Sequence, residues 1–137
     1  MRIDANLTYT ALAVLLGSIL SGCGGNAERY DVVPVSGIVT CQGKPVANAV
    51  VNFTPMAQEG RAEGRPGRVA LGITDDQGRF KLTTYVNDDG AIVGKHTVTV
   101  GLNIDENSAP PTERFPCRDS SMEITLEKPI DDLKLDF

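Results

Sequence analysis

The chain has no tryptophan and only three tyrosines and four phenylalanines among 137 residues. Sugar sites rely heavily on stacked aromatics, so this scarcity counts against one. A single histidine is present. It has no serine or cysteine partner at a recognisable spacing for general-base work, and a metal site would need other ligands around it. There is no excess of basic charge: 13 Lys and Arg face 18 Asp and Glu, for a net charge of -5 and a pI near 4.8. That balance excludes a nucleic-acid partner. A membrane-spanning helix is also missing, because a span needs roughly 20 apolar residues and the stretch from Ala11 to Leu20 is too short. No amphipathic helical repeat follows residue 23. What the chain does have is 14 glycines, 8 prolines and many valines and threonines, a composition of short strands and turns.

The N-terminus opens with Met1-Arg2, runs apolar from Ala11 to Leu20 and leaves through small residues, the layout of a secretory signal peptide. An ordinary cleaved signal would leave Cys23 as a free thiol beside Gly24-Gly25. The closing Leu20-Ser21-Gly22-Cys23 instead resembles a bacterial lipobox. That resemblance implies diacylglycerol on the Cys23 thiol, cleavage just before it, and acyl chains such as palmitate holding the mature chain to a membrane. Two or more acyl chains hold a protein stably, at about 0.8 kcal/mol per buried methylene. The expected organisation is a lipoprotein signal peptide over 1–22, lipidated Cys23 and a polar tether over 23–32, and one domain over 33–137. Gly24 is not the aspartate that retains many lipoproteins at the inner membrane. The outer membrane, on its periplasmic or surface side, is therefore the expected address.

With Cys23 assigned to the lipid, Cys41 and Cys117 remain. An even pair in an exported chain is permitted to form a disulfide, and two buried free thiols are the alternative.

From Val33 onward apolar residues alternate. Val33, Val35, Gly37, Val39 and Cys41 share one parity, as do Ala49, Val51 and Phe53, then Val69, Leu71 and Ile73, and Phe80 and Leu82. The pattern continues through His96, Val98 and Val100, through Met122, Ile124 and Leu126, and through Leu133, Leu135 and Phe137. Turn chemistry separates the runs at Gln42-Gly43-Lys44-Pro45, at Asp75-Asp76-Gln77-Gly78 and at Asn87-Asp88-Asp89-Gly90. About seven single-faced strands bury their apolar faces economically in two packed sheets, with a small barrel as the alternative. The expected inward set is Val35, Val39, Val51, Phe53, Leu71, Ile73, Phe80, Leu82, Val98, Val100, Ile124, Leu126, Leu133 and Leu135. Thr97, Thr99, Thr125 and Lys134 are expected to face outward.

Three stretches resemble carboxypeptidase-regulatory-like, or transthyretin-like, domains: Val35 to Phe53 with its Gly43-Lys44-Pro45-Val46 turn, Gly72 to Phe80, and Gly94 to Val100. The segment from Phe115-Pro116 to Phe137 is similar to small bacterial lipoproteins that carry this domain. The resemblance implies a seven-stranded Greek-key β-sandwich that generally has no catalysis of its own. One enzyme branch of the wider superfamily hydrolyses hydroxyisourate with several histidines, an arginine and a Tyr-Arg-Gly-Ser C-terminus. This chain has one histidine and ends Lys134-Leu135-Asp136-Phe137, so that activity does not carry over.

Asp75, Asp76, Asp88 and Asp89 are candidate calcium ligands, since calcium takes several oxygens. The Asp-x-x-Gly spacing is equally turn chemistry, and no EF-type loop is completed. His96 shares the parity of the core and is expected at its margin. Lys44 in a turn does not suit an isopeptide crosslink. Arg61, Arg65 and Arg68 in the long 56–68 loop are candidates for anionic groups, diluted by Glu59 and Glu63. The expectation is a non-catalytic, lipid-anchored envelope module, without cofactor, that is structural or binds a protein or glycan. A small-ligand or carbohydrate carrier is the alternative, and a hydrolase the third reading.

Overall fold

The computed structural model describes residues 29–57, 66–103 and 117–137. Cys23, Arg61 and Arg65 fall outside them. Among the described residues ten strands follow one another: β1 (Val32–Val33), β2 (Val35–Cys41), β3 (Lys44–Pro45), β4 (Ala49–Pro55), β5 (Ala70–Ile73), β6 (Arg79–Lys81), β7 (Ala91–Ile92), β8 (Gly94–Leu102), β9 (Ser121–Leu126) and β10 (Ile130–Asp136). The described residues are all-β and contain no helix. The three elements beyond the expected seven, β1, β3 and β7, are two-residue pairings at turns and near the first described residues, too short for alternation to reveal.

One four-stranded sheet has the order β5-β4-β8-β9, antiparallel throughout. In the other, β2 is central: β10 runs parallel along one edge, while β6 and β3 pair antiparallel along the other. A third, two-stranded pairing joins β1 to β7. Both larger sheets contribute to one core, as in a β-sandwich. Val35, Val39, Phe80 and Leu135 come from one side, and Val51, Phe53, Val98, Val100 and Leu126 from the other. Phe53 and Phe80 meet across it with ring centroids 6.5 Å apart. Strict alternation in β2 (Val35, Gly37, Val39 and Cys41 buried) and in β8 (His96, Val98 and Val100 buried) is what period two predicts for a one-faced strand. Ile124 and Leu133 pack against the core half-buried, on edge strands. Thr125 and Lys134 are exposed, and Thr97 and Thr99 are half-buried on the outer side of β8.

Strand β5 reverses the expectation. Leu71 and Ile73 are 49% and 59% exposed, and Ala70, Gly72 and Thr74 take the inner side. The reason is a close approach of two backbones. A Cβ at Gly72 would sit 2.7 Å from the Lys81 carbonyl oxygen and 3.2 Å from Leu82. Only small side chains fit where β5 passes β6, so the large apolar residues of β5 are turned outward. Hydrophobic alternation gave the right period here and the wrong face.

Cys41 and Cys117 are joined in a disulfide with Cα atoms 6.0 Å apart, within the normal range for such a bond. It links the end of β2 to the crossover between β8 and β9, across a sequence separation of 76. The C-terminus closes the same end. Gln42 N–H donates to the Phe137 carbonyl, and Phe137 N–H donates to that of Thr40. The Asp136 carboxylate accepts from the Thr40 hydroxyl at 2.6 Å and the Gly43 amide at 3.2 Å. These two donors, the hydroxyl foremost, hold the Asp136 carboxyl below the ordinary aspartate range.

Candidate functional site

The outward turn of β5 helps to form a concave surface. A groove of about 650 Å³ runs along the seam between β5 and β6 and reaches β2 and the start of β10. Leu71 and Ile73 supply apolar surface, while Arg79 and Lys81 project from the outer side of β6, flanking buried Phe80. Asp75, Asp88 and Asp131 place carboxylates around these cations, and Ser36 and Thr83 add hydroxyls. A narrower recess continues beside Lys81, Asp88 and Asp131 toward Pro34.

Two self-bonded turns hold the groove's charged residues in place. In the first, Asp75 N–H donates to the Arg79 carbonyl, and the Asp75 carboxylate accepts from the amides of Gln77 and Arg79 at 2.9 Å each. Gly78 closes that turn at φ 77°, a left-handed conformation that a glycine adopts at least cost. Reciprocal hydrogen bonds between Leu71 and Thr83 tie the two strands again farther along. In the second turn, residues 83 to 90, one Asp89 carboxylate oxygen accepts from Thr84 N–H at 2.7 Å. The other accepts from Tyr85 and Val86 N–H, both at 3.0 Å. Burial by itself raises the Asp89 carboxyl, but the amides of Thr84, Val86 and Tyr85 outweigh it and leave its pKa below the ordinary value. The Thr84 hydroxyl donates to the Gly90 carbonyl, and Asp88 N–H donates to the Thr83 hydroxyl. Lys81 lies 3.7 Å from Asp88 in an exposed ion pair.

The four candidate calcium ligands are therefore divided between these turns. Asp75 and Asp89 spend their carboxylates on backbone amides, and Asp88 faces Lys81. Among the described residues no three His, Cys, Asp or Glu side chains gather as a metal-binding group. His96 lies deeper than the core margin expected of it: it is fully buried in β8, 5.8 Å from the Phe53 ring by centroids, with Nδ1 3.0 Å from the Gly94 carbonyl oxygen. It does not line the groove. Arg68 is exposed beside the start of β5.

Sequence reasoning missed the groove residues Ser36, Leu71, Ile73, Arg79, Lys81 and Asp131 as a group. The alternation Arg79-Phe80-Lys81 was a readable signal for two cations on one outer face. No local pattern joins them to Ser36 and Asp131, which come from the first and last long strands. Compared with protein-family models, with curated proteins and with solved structures, the chain gives no match.

Proposed function

We propose that this chain is a lipid-anchored, non-catalytic module of the cell envelope that captures an extended segment of a partner protein in the β5–β6 groove. The domain would be the seven-stranded Greek-key sandwich of the transthyretin-like kind, with β1, β3 and β7 as minor additions. The Leu20-Ser21-Gly22-Cys23 resemblance supports the anchor on Cys23 and an outer-membrane address. One observation carries the binding reading: Leu71 and Ile73 stand exposed beside a row of charged groups rather than in the core. Exposed apolar side chains rimmed by polar ones suit a protein partner. The groove is open to solvent and carries both signs of charge, which suits a peptide chain better than an enclosed small molecule. The burial of His96 against Phe53 supports a structural role for that histidine.

The test has two arms. Cys23→Ser should abolish acyl labelling and release the protein from membranes, and a mutant that still carries label and fractionates like wild type overturns the anchor. A photo-crosslinking residue at position 73 should give a discrete adduct with one envelope protein that a residue at position 125 does not, and Arg79→Glu should weaken it. Equal crosslinking from positions 73 and 125 refutes the groove as the binding surface.

A further inference from the structure

We infer that the end of the domain where the tether leaves is a lipid-facing surface, seated on phospholipid headgroups through Arg29, Arg68, Tyr85, Val69 and Val86. This inference rests on the lipid-anchor reading of Cys23.

The tether joins the domain at a fixed place. Strand β1 pairs with β7, Tyr30 N–H donates to the Tyr85 hydroxyl at 3.1 Å, and the Arg29 guanidinium stands 5.4 Å from the centre of the Tyr85 ring. The chain thus runs along the 83–90 turn before it leaves. The Tyr30 ring also lies against Gly67, where a Cβ would meet it at 3.2 Å, and this brings Arg68 and Val69 to the same end. Only residues 24 to 28 separate Cys23 from Arg29. Fully extended at about 3.3–3.6 Å per residue, that link spans about 20 Å. As a flexible coil it averages nearer ~13 Å. The headgroup layer takes up roughly 6 Å of either figure. An acyl group on Cys23 therefore holds this end near the bilayer and places no such constraint on the far end. The far end is the Gln42–Pro45 turn, which lies the whole length of β2 from Val35.

The residues at the near end fit that position. Val86 is 60% exposed and Val69 37% exposed, an unusual surface for valine in a chain with so few exposed large apolar side chains among its described residues. Tyr85, half-buried, offers the amphipathic ring that favours a membrane interface. Arg29 and Arg68 are exposed and suited to lipid phosphates, with long stems able to lie along apolar surface. Of the nearby acids among the described residues, Asp88 faces Lys81 and Asp89 is bonded to backbone amides, while exposed Asp31 and Asp131 remain as negative groups. Seated this way, the domain holds β2 and the groove beside it upright from the bilayer.

The test uses the full acylated chain in vesicles of phosphatidylethanolamine and phosphatidylglycerol containing nitroxide-labelled lipid. Fluorophores are placed at Val86→Cys and, separately, at Lys44→Cys. Quenching is expected to be several-fold greater at position 86. Arg29→Glu combined with Arg68→Glu should reduce it there while the protein stays vesicle-bound. Equal quenching at both positions, with mass spectrometry showing acylated Cys23, overturns the lipid-facing end and leaves the anchor standing. An unmodified Cys23 overturns the anchor reading, and the lipid-facing end falls with it.

Discussion

Replacing Asp89 with asparagine removes one charge and changes almost no volume, so it isolates what the carboxylate does for the 83–90 turn. Both oxygens are engaged, one by Thr84 N–H and the other by Tyr85 and Val86 N–H. An asparagine has only one acceptor oxygen. In its better orientation it keeps Tyr85 and Val86 and turns its NH2 against the Thr84 amide, on a residue only 3% exposed. An unsatisfied buried donor costs about 1–3 kcal/mol, and the two retained bonds lose their charge assistance, together another ~1 kcal/mol. A loss of about 3 kcal/mol is expected at pH 7, or roughly 15 °C in Tm for a domain of this size. Urea unfolding followed by far-ultraviolet circular dichroism, with the disulfide intact, measures it. The pH dependence supplies a second check. Asp89 has a folded pKa below its unfolded value, so its contribution is fully present above the unfolded value near ~3.9 and disappears as pH falls through the folded one. The gap between wild type and Asp89→Asn should therefore close in acid. An asparagine variant within about 0.5 kcal/mol of wild type at pH 7, or a gap that widens in acid, would refute the reasoning.

Two further expectations concern the frame. Gly72→Ala puts a methyl 2.7 Å from the Lys81 carbonyl oxygen and should destabilise the domain by about 1–3 kcal/mol, as overpacking does, whereas a neutral result in chemical denaturation would mean β5 can move off β6 freely. Cys117→Ser should lower stability by about 4 kcal/mol on the chain-entropy account, given the separation of 76 residues. Complete alkylation of Cys41 and Cys117 in the native, unreduced protein would show that the bond is not formed.

How legible each element was depended on whether its information was local. Strands β2, β4 and β8 were readable from alternation, because each buries one face and its large side chains mark that face. The turns at Asp75 to Gly78 and at Asn87 to Gly90 were readable because aspartate bonds its own backbone and glycine accepts positive φ. Strand β5 shows the limit. Its period was legible, but its inward face was chosen by how closely β6 passes it after the Asp75–Gly78 turn, a packing distance that alternation does not state.

The amino-acid sequence by itself determined the all-β character of the domain and its turn positions, since period two and turn chemistry act over a few neighbouring residues. It also carries Leu20-Ser21-Gly22-Cys23, the resemblance on which the proposed anchor rests. The tertiary structure decided what depends on distant segments meeting. It paired β10 with β2, brought Cys41 to Cys117, sank His96 against Phe53, and gathered Ser36, Ile73, Arg79, Lys81 and Asp131 around one groove. The physical reason is that a strand's own pattern states which residues alternate. Which face leaves water is settled only by what packs against it, as Gly72 beneath the Lys81 carbonyl settles the outward turn of Leu71 and Ile73.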